Sequence, residues 1–237
     1  MIKKLLPRPI KNLIKRVLAV AYWDPWINRS WSQEGEDQIL RRVFEKKENG
    51  FYIDVGAHHP RRFSNTYLFY IQGWNGLNID AMPGSMSSFN QDRPRDINIE
   101  VGIGLSECQL DYYVFNEPAL NGFSKELSDA RHDPNSAYQI NEIIKVNVFP
   151  LSVVLENNLP KGQDIDFMSV DVEGLDFEVL KSNDWTKYRP KILLVEILNS
   201  SLHDIEESSI GRLMNDVGYV IYAKCVHTVF FKAVDQK

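Results

Sequence analysis

FYIDVGA, residues 51–57, is an apolar run that closes on an acid and a glycine. A short run of this kind, with no polar face, reads as a strand buried on both sides. The pattern recurs along the chain at GLNID (76–80), INIEVGI (97–103), IDFMSVD (165–171) and ILLVEIL (192–198). Helical patterns alternate with these strands. Ser32 caps an expected helix that carries Ile39, Leu40, Val43 and Phe44, and Ser85 to Phe89 begins another. Leu175, Phe177, Val179 and Leu180 mark a third, and Leu202 to Val217 reads as a further single helix. The chain closes with GYVIYA (218–223) and TVFFK (228–232), four residues apart, an antiparallel hairpin. Strands alternating with helices predict an α/β fold, a mostly parallel sheet with helices on both faces.

The chain has 237 residues, 43% hydrophobic and 25% charged, which suits a large α/β domain and excludes disordered or repetitive classes. Two distant cysteines, Cys108 and Cys225, exclude a disulfide scaffold and a cysteine zinc cluster, and they fit a reducing cytoplasm. Residues 1–23 hold six of the 27 Lys and Arg residues and none of the 32 acidic ones. The formal net charge of −5 therefore conceals a basic arm on a strongly acidic body, and the acidic body argues against a nucleic-acid partner. Within the arm, Ile10, Leu13, Ile14, Val17, Leu18 and Ala21 share a helical face opposite Lys11, Lys15 and Arg16. The segment is too polar to span a bilayer and lacks the features of a secretory signal. Two readings stand: a helix lying on an anionic membrane surface, or a helix packed on the protein or on a second subunit. The expected division is an arm over 1–30 and one domain over 31–237, with an insertion or lid around 105–149.

Ligands of an open parallel sheet sit beyond the carboxyl ends of its strands. Four of the five expected strands carry an acid there: Asp54, Asp80, Asp171 and Glu196. Gly56 and Ala57 follow the first strand with His58, Ala81 follows the second, Gly102 and Ile103 end the third, and Glu173 and Asn199 lie just past the last two. Asp80, 26 residues after Asp54, suits the two hydroxyls of a ribose. The first loop reads GAHHP, without the G-x-G-x-x-G that cradles a pyrophosphate, and no phosphate-binding lysine loop occurs. A nucleoside cofactor lacking phosphates meets both conditions, and S-adenosylmethionine is the common one.

With these residues in view, the sequence resembles the FkbM family of S-adenosylmethionine-dependent methyltransferases. The carriers are SQEGEDQIL (32–40), FYIDVGAHHPRRFSNTYLFY (51–70), GWNGLNIDAMPGSM (73–86) and IDFMSVDVEGLDFEVLKSNDW (165–185). The resemblance implies a Rossmann-like, seven-stranded methyltransferase domain that methylates hydroxyls of sugars, glycans or polyketide-type products. It implies a cofactor loop at Asp54, Gly56 and Ala57, with Ser64 and Asn65 in the SNT element behind it. Asp80 matches the ribose acid, Gln33 and Glu36 lie in an element closing over the site, and Asp171 and Glu173 stand beside the transferred methyl. His58, His59 and Pro60 replace the small, amide and glycine residues that many relatives carry.

Methylating a hydroxyl requires alignment and removal of its proton. Asp171 and Glu173 are expected to act as base, to hold a divalent cation with Glu196 or Asn199, or to position the acceptor. His58 is a second candidate base, with loop hydrogen bonding as its alternative. Gln33, Glu36, Glu196 and Asn199 are the expected acceptor contacts. The expected activity is O-methylation of a sugar in a surface glycan or glycolipid, by a cytoplasmic protein at the inner face of the membrane or a homo-oligomer. The alternatives are a small metabolite or nucleotide-sugar acceptor, and a binding module without catalysis.

Overall fold

The computed structural model describes residues 26–132 and 137–234. The amphipathic helix expected in the basic arm, and both readings of its role, lie outside the described residues. From Trp31 onward the chain forms one compact unit. Its elements in chain order begin with helix α1 (Glu36–Val43), strand β1 (Phe51–Val55), α2 (Tyr67–Ile71), β2 (Asn75–Asp80), α3 (Met86–Asp92), β3 (Ile97–Glu100) and β4 (Gly102–Ile103). They continue with β5 (Cys108–Phe115), α4 (Lys125–Arg131), β6 (Ile140–Phe149), α5 (Leu151–Asn158), β7 (Phe167–Val170), α6 (Asp176–Lys181) and β8 (Ile192–Glu196). Helices α7 (Leu202–Glu207) and α8 (Ser209–Asp216) and the hairpin β9 (Tyr219–Lys224) and β10 (Thr228–Ala233) close the domain.

Seven strands form one sheet in the order β3-β2-β1-β7-β8-β10-β9. The first five run parallel, and β10 is antiparallel to both β8 and β9. This is the Rossmann-like architecture expected, with the hairpin at one edge. Alternate side chains of the central strands enter different cores. Ile53, Leu77, Met168, Leu193 and Val229 pack with α5, α6 and α8 through Leu155, Val179 and Met214. Tyr52, Phe167, Leu194 and Phe230 pack with α1, α2 and Trp74 on the other face. Every residue of β1 and β7 is buried, which is why those segments carry no polar alternation.

Strand order reverses between β1 and β7, where the chain crosses from the β1-β2-β3 half to the β7-β8 half. The crevice of such a sheet opens at the carboxyl ends of these two strands. Above it lies a second, three-stranded sheet, β4-β6-β5, whose strands β5 and β6 fall in the stretch around 105–149 expected as an insertion or lid.

Three expectations need correction. Residues 97–103 are two strands in two sheets, parted at Val101, whose N–H bonds the Asp80 carbonyl at 2.9 Å. A side chain at Gly102 would come within 2.7 Å of Phe123 and Val148, so close packing fixes the point where the chain changes sheets. Residues 202–217 are two helices, because Ser208 is extended and its hydroxyl caps the second by accepting from Gly211 N. Helix α1 is entered through Gly35, in a left-handed conformation at φ +88°, and not through a Ser32 cap. Ser32, three residues before the cap position, donates its hydroxyl to Asp37 Oδ1 at 3.1 Å and accepts from Asp37 N in the first turn at 3.3 Å.

Candidate active site

The crevice between the sheets holds a cavity of about 390 Å³, within the range of small-molecule sites. Its walls come from the ends of β1, β2 and β7, from the turn after β3, and from the inserted sheet. Three residues that line it, His58, Phe63 and Glu173, have positive φ without being glycine. Backbone strain of this kind concentrates at functional sites and costs about 1–3 kcal/mol per residue.

Asp54, one residue before the end of β1, lines the cavity, and its Oδ2 accepts from the Thr66 hydroxyl at 2.7 Å. Gly56 follows at φ +82°, and a Cβ there would lie 1.7 Å from the Asp171 carbonyl oxygen. The loops after β1 and β7 therefore touch backbone to backbone, and only glycine permits it. Gly56→Ala combines that clash with a strained φ. The expected cost is at least about 3 kcal/mol, read as a lowered midpoint in denaturant unfolding.

Asp80 ends β2, buried, with Oδ2 accepting from His58 N at 2.8 Å and Oδ1 from Met82 N at 2.9 Å. Burial pushes its carboxyl up, opposed by the Met82 and His58 amides. Both oxygens are thus fixed in orientation while the carboxylate lines the cavity. Nearby, Ile79, Ala81, Met82, Val101, Ile103 and the Tyr112 and Phe123 rings form an apolar wall. The two rings meet with centroids 4.8 Å apart.

On the opposite side, Asp171 and Glu173 follow β7 and Glu196 ends β8. One carboxylate oxygen from each lies within 4.8 Å of the others, the one such group among the described residues. Burial raises all three carboxyls. Asp171 is pushed well above its ordinary range by burial and then by Glu196 and Glu173, and Glu196 to about 8 by burial and then Glu173. For Glu173, burial outweighs the opposing Arg131, whose Nη2 pairs with it at 2.6 Å. Asp171 Oδ1 is buried and has no hydrogen-bond partner. The loop between them is held by Asp176, which accepts from Val172 N and Gly174 N, both at 3.2 Å. The inserted sheet closes on it at Gly122, where a Cβ would come within 2.9 Å of the Glu173 Cβ.

His58 lines the cavity with Nε2 buried and without a partner. Burial, then the Arg62 charge, lowers its pKa to about 4, so the imidazole is neutral at physiological pH and a weak base. His59 is a loop residue whose Nδ1 accepts from Arg61 N and Arg62 N.

Of the residues expected from the sequence, Gln33, Asp54, Gly56, Ala57, His58, Asn65, Asp80, Ala81, Ile103, Asp171 and Glu173 meet around this cavity. Ser64, Gly102, Glu36, Glu196 and Asn199 do not line it. Ser64 is buried and accepts from Tyr67 N, and the space beside Gly102 is filled by Phe123 and Val148. Glu36 and Glu196 line a smaller cleft beside the cavity, shared with Gln33 and Asp171. Glu36 is engaged internally, by Thr228 Oγ1 and Glu34 N. Asn199 lies beyond the end of β8, at φ +50°, and lines neither space. The sequence reading missed Met82, Val101 and Ser169 in the wall, and Arg131 behind Glu173. Tyr112 and Phe123 line the cavity, whereas Trp74 and Trp185 are buried in the cores.

The sequence profile of the methyltransferase FkbM domain matches residues 54–221. The chain belongs to the FkbM methyltransferase family. No curated protein matches its sequence. Among solved structures, it is similar to a TehB-like S-adenosylmethionine-dependent methyltransferase from Corynebacterium glutamicum, at 13% identity and a TM-score of 0.43, over 95% of this chain and 97% of the other. It is also similar to the 1,6-didemethyltoxoflavin-N1-methyltransferase of Burkholderia thailandensis, at 11% identity and a TM-score of 0.44, over 97% and 91%. An O-methyltransferase from Bacillus cereus matches at 12% identity and a TM-score of 0.39, over 98% and 94%. As an FkbM methyltransferase, the protein takes its methyl group from S-adenosylmethionine. The cavity suits that cofactor: it joins a fixed carboxylate and an apolar wall to Asn65 Oδ1, a buried acceptor without a partner.

Proposed function

We propose that this FkbM methyltransferase methylates a hydroxyl oxygen of a sugar, carried on a surface glycan or glycolipid. The observation that carries the reading is the pair Asp171 and Glu173 at the cavity edge, with carboxyls raised by burial. A sugar hydroxyl is a poor nucleophile at neutral pH and needs a base, and a carboxylate of raised pKa is a stronger one. When bound, S-adenosylmethionine supplies an electrophilic methyl on a cationic sulfur. Asp80 holds the ribose hydroxyls, the apolar wall around Tyr112 covers the adenine, and Asp54 and Asn65 receive the methionine end. Asp171 takes the acceptor proton as its oxygen is methylated. Glu173, fixed by Arg131, orients the acceptor, and Gln33 and Glu196 border its approach from the side cleft.

Among the described residues no helix is long and apolar enough to cross a membrane. Contact with a lipid-linked acceptor is assigned to the basic residues of the 1–23 arm, at the cytoplasmic face of an anionic bilayer. The test is mass spectrometry of carbohydrate from cells with and without the protein. The reading predicts O-methylated sugar in glycan or glycolipid that disappears with the protein. Unchanged sugar methylation, or methyl loss only from small soluble metabolites, contradicts it.

A second reading has its own observation, the convergence of Asp171, Glu173 and Glu196 within 4.8 Å. Oxygen ligands so placed suit a hard divalent cation, which would acidify the hydroxyl directly. Against it, Glu173 is already paired with Arg131.

A further inference from the structure

Behind Asp54 lies a buried polar chain that plays no part in the chemistry above. Thr66 and Arg93 are both fully buried. Thr66 stands at the N-terminus of α2, where a threonine hydroxyl ordinarily caps the helix, yet its side chain makes no cap bond. Ser64 Oγ does that work, accepting from Tyr67 N at 3.0 Å. The Thr66 hydroxyl is turned instead between two charges. It accepts from Arg93 Nη2 at 3.0 Å and donates to Asp54 Oδ2 at 2.7 Å.

The direction of this chain is dictated by chemistry. A guanidinium has donors only and a carboxylate only accepts, so Thr66 Oγ1 accepts from Arg93 and gives its one proton to Asp54, and the Ser64 hydroxyl, 3.2 Å away, is left to donate to it. Arg93 is held in turn: Nε donates to Asp96 Oδ2 at 2.8 Å and Nη2 to the Tyr52 hydroxyl at 2.9 Å. Asp96 is fixed by Gly76 N at 2.9 Å and Asn78 Nδ2 at 3.0 Å. The result is a rigid relay from the β2 backbone to one oxygen of the Asp54 carboxylate.

We infer that Thr66 is a positioning residue for the cofactor, pinning Asp54 Oδ2 so that Oδ1 is presented to the ammonium of the methionine moiety. The inference rests on the proposed reading of Asp54 as a cofactor contact. Burial raises the Asp54 carboxyl, and the Arg93 charge and the Thr66 bond are the influences that oppose it. Without the hydroxyl, the carboxylate is both less fixed and less readily charged.

Calorimetry with two ligands tests this. S-adenosylhomocysteine carries the amino-acid end, and 5′-methylthioadenosine keeps the nucleoside and thioether but lacks it. Thr66→Val, close in shape but without a hydroxyl, is expected to weaken S-adenosylhomocysteine about tenfold, the worth of one hydrogen bond to a charged group. Its affinity for 5′-methylthioadenosine should stay within roughly twofold of the unmodified protein on the same argument, and Thr66→Ser should restore the first ligand. Unchanged S-adenosylhomocysteine binding by Thr66→Val, or equal loss of both ligands, overturns the positioning role. Asp54→Asn separates the premise from the inference. If it spares S-adenosylhomocysteine, the reading of Asp54 itself falls; if it alone weakens that ligand, only the role of Thr66 falls.

Discussion

Asp171→Asn is expected to lower kcat for methyl transfer to a hydroxyl acceptor by about 10²–10⁴-fold, the range for loss of a positioned general base. Asparagine keeps the volume but cannot accept a proton. S-adenosylhomocysteine should still bind within about tenfold, because this change removes no more than one hydrogen bond to it. The pH profile gives an independent sign. Burial, then the neighbouring Glu196 and Glu173, raise the Asp171 carboxyl well above the ordinary carboxylate range. Only the deprotonated form works, so the rate should climb with pH through a window above that ordinary range and level off once Asp171 is deprotonated. That climb should be lost in Asp171→Asn. Glu173→Gln should cost less, because it removes an orienting ion pair with Arg131 and not the proton acceptor. Chelation of divalent cations should leave the wild-type rate unchanged. A rate abolished by chelation and restored by Mg²⁺ would assign the cluster to a cation.

Asp80→Ala is expected to raise the Kd for S-adenosylhomocysteine by about 10²-fold or more, since hydrogen bonds from two hydroxyls to a charged group are worth about 1.5–3 kcal/mol each. The carboxylate also accepts from His58 N and Met82 N, so its removal leaves two loop amides without partners. The loss therefore has two sources, a missing ribose acceptor and a loosened loop. Asp80→Asn retains one acceptor oxygen and should fall between wild type and alanine. Isothermal titration at one pH reads all three, and an Asp80→Ala affinity equal to wild type would remove the ribose assignment.

Much of the fold is legible because its strands are buried on both faces. FYIDVGA and ILLVEIL are apolar up to Asp54 and Glu196 for that reason, and those acids mark the functional edge of the sheet. Tight packing against distant residues is what the local pattern hides. The break at Val101 depends on Phe123 and Val148 crowding Gly102, and the break at Ser208 on a local cap within an otherwise helical stretch. The candidate site divides in the same way. Asp54, Asp80 and Asp171 were readable as strand ends near the reversal of strand order. Glu196 also ends a strand, but β8 lies one strand farther from the reversal, and its carboxylate enters the side cleft. Arg131 comes from the insertion, and Arg93 reaches Asp54 only through Thr66, contacts that no spacing along the chain announces.

We assign the crevice between β1, β2 and β7 as the cofactor site, with the nucleoside at Asp80 and the reacting centre at Asp171. A crystal structure of the full chain with S-adenosylhomocysteine tests it most directly. The predicted result has both ribose hydroxyls on the Asp80 carboxylate, the adenine against Tyr112, the amino group at Asp54 and the sulfur turned toward Asp171. A ligand bound elsewhere, or one lying in the crevice with its ribose away from Asp80, would contradict it.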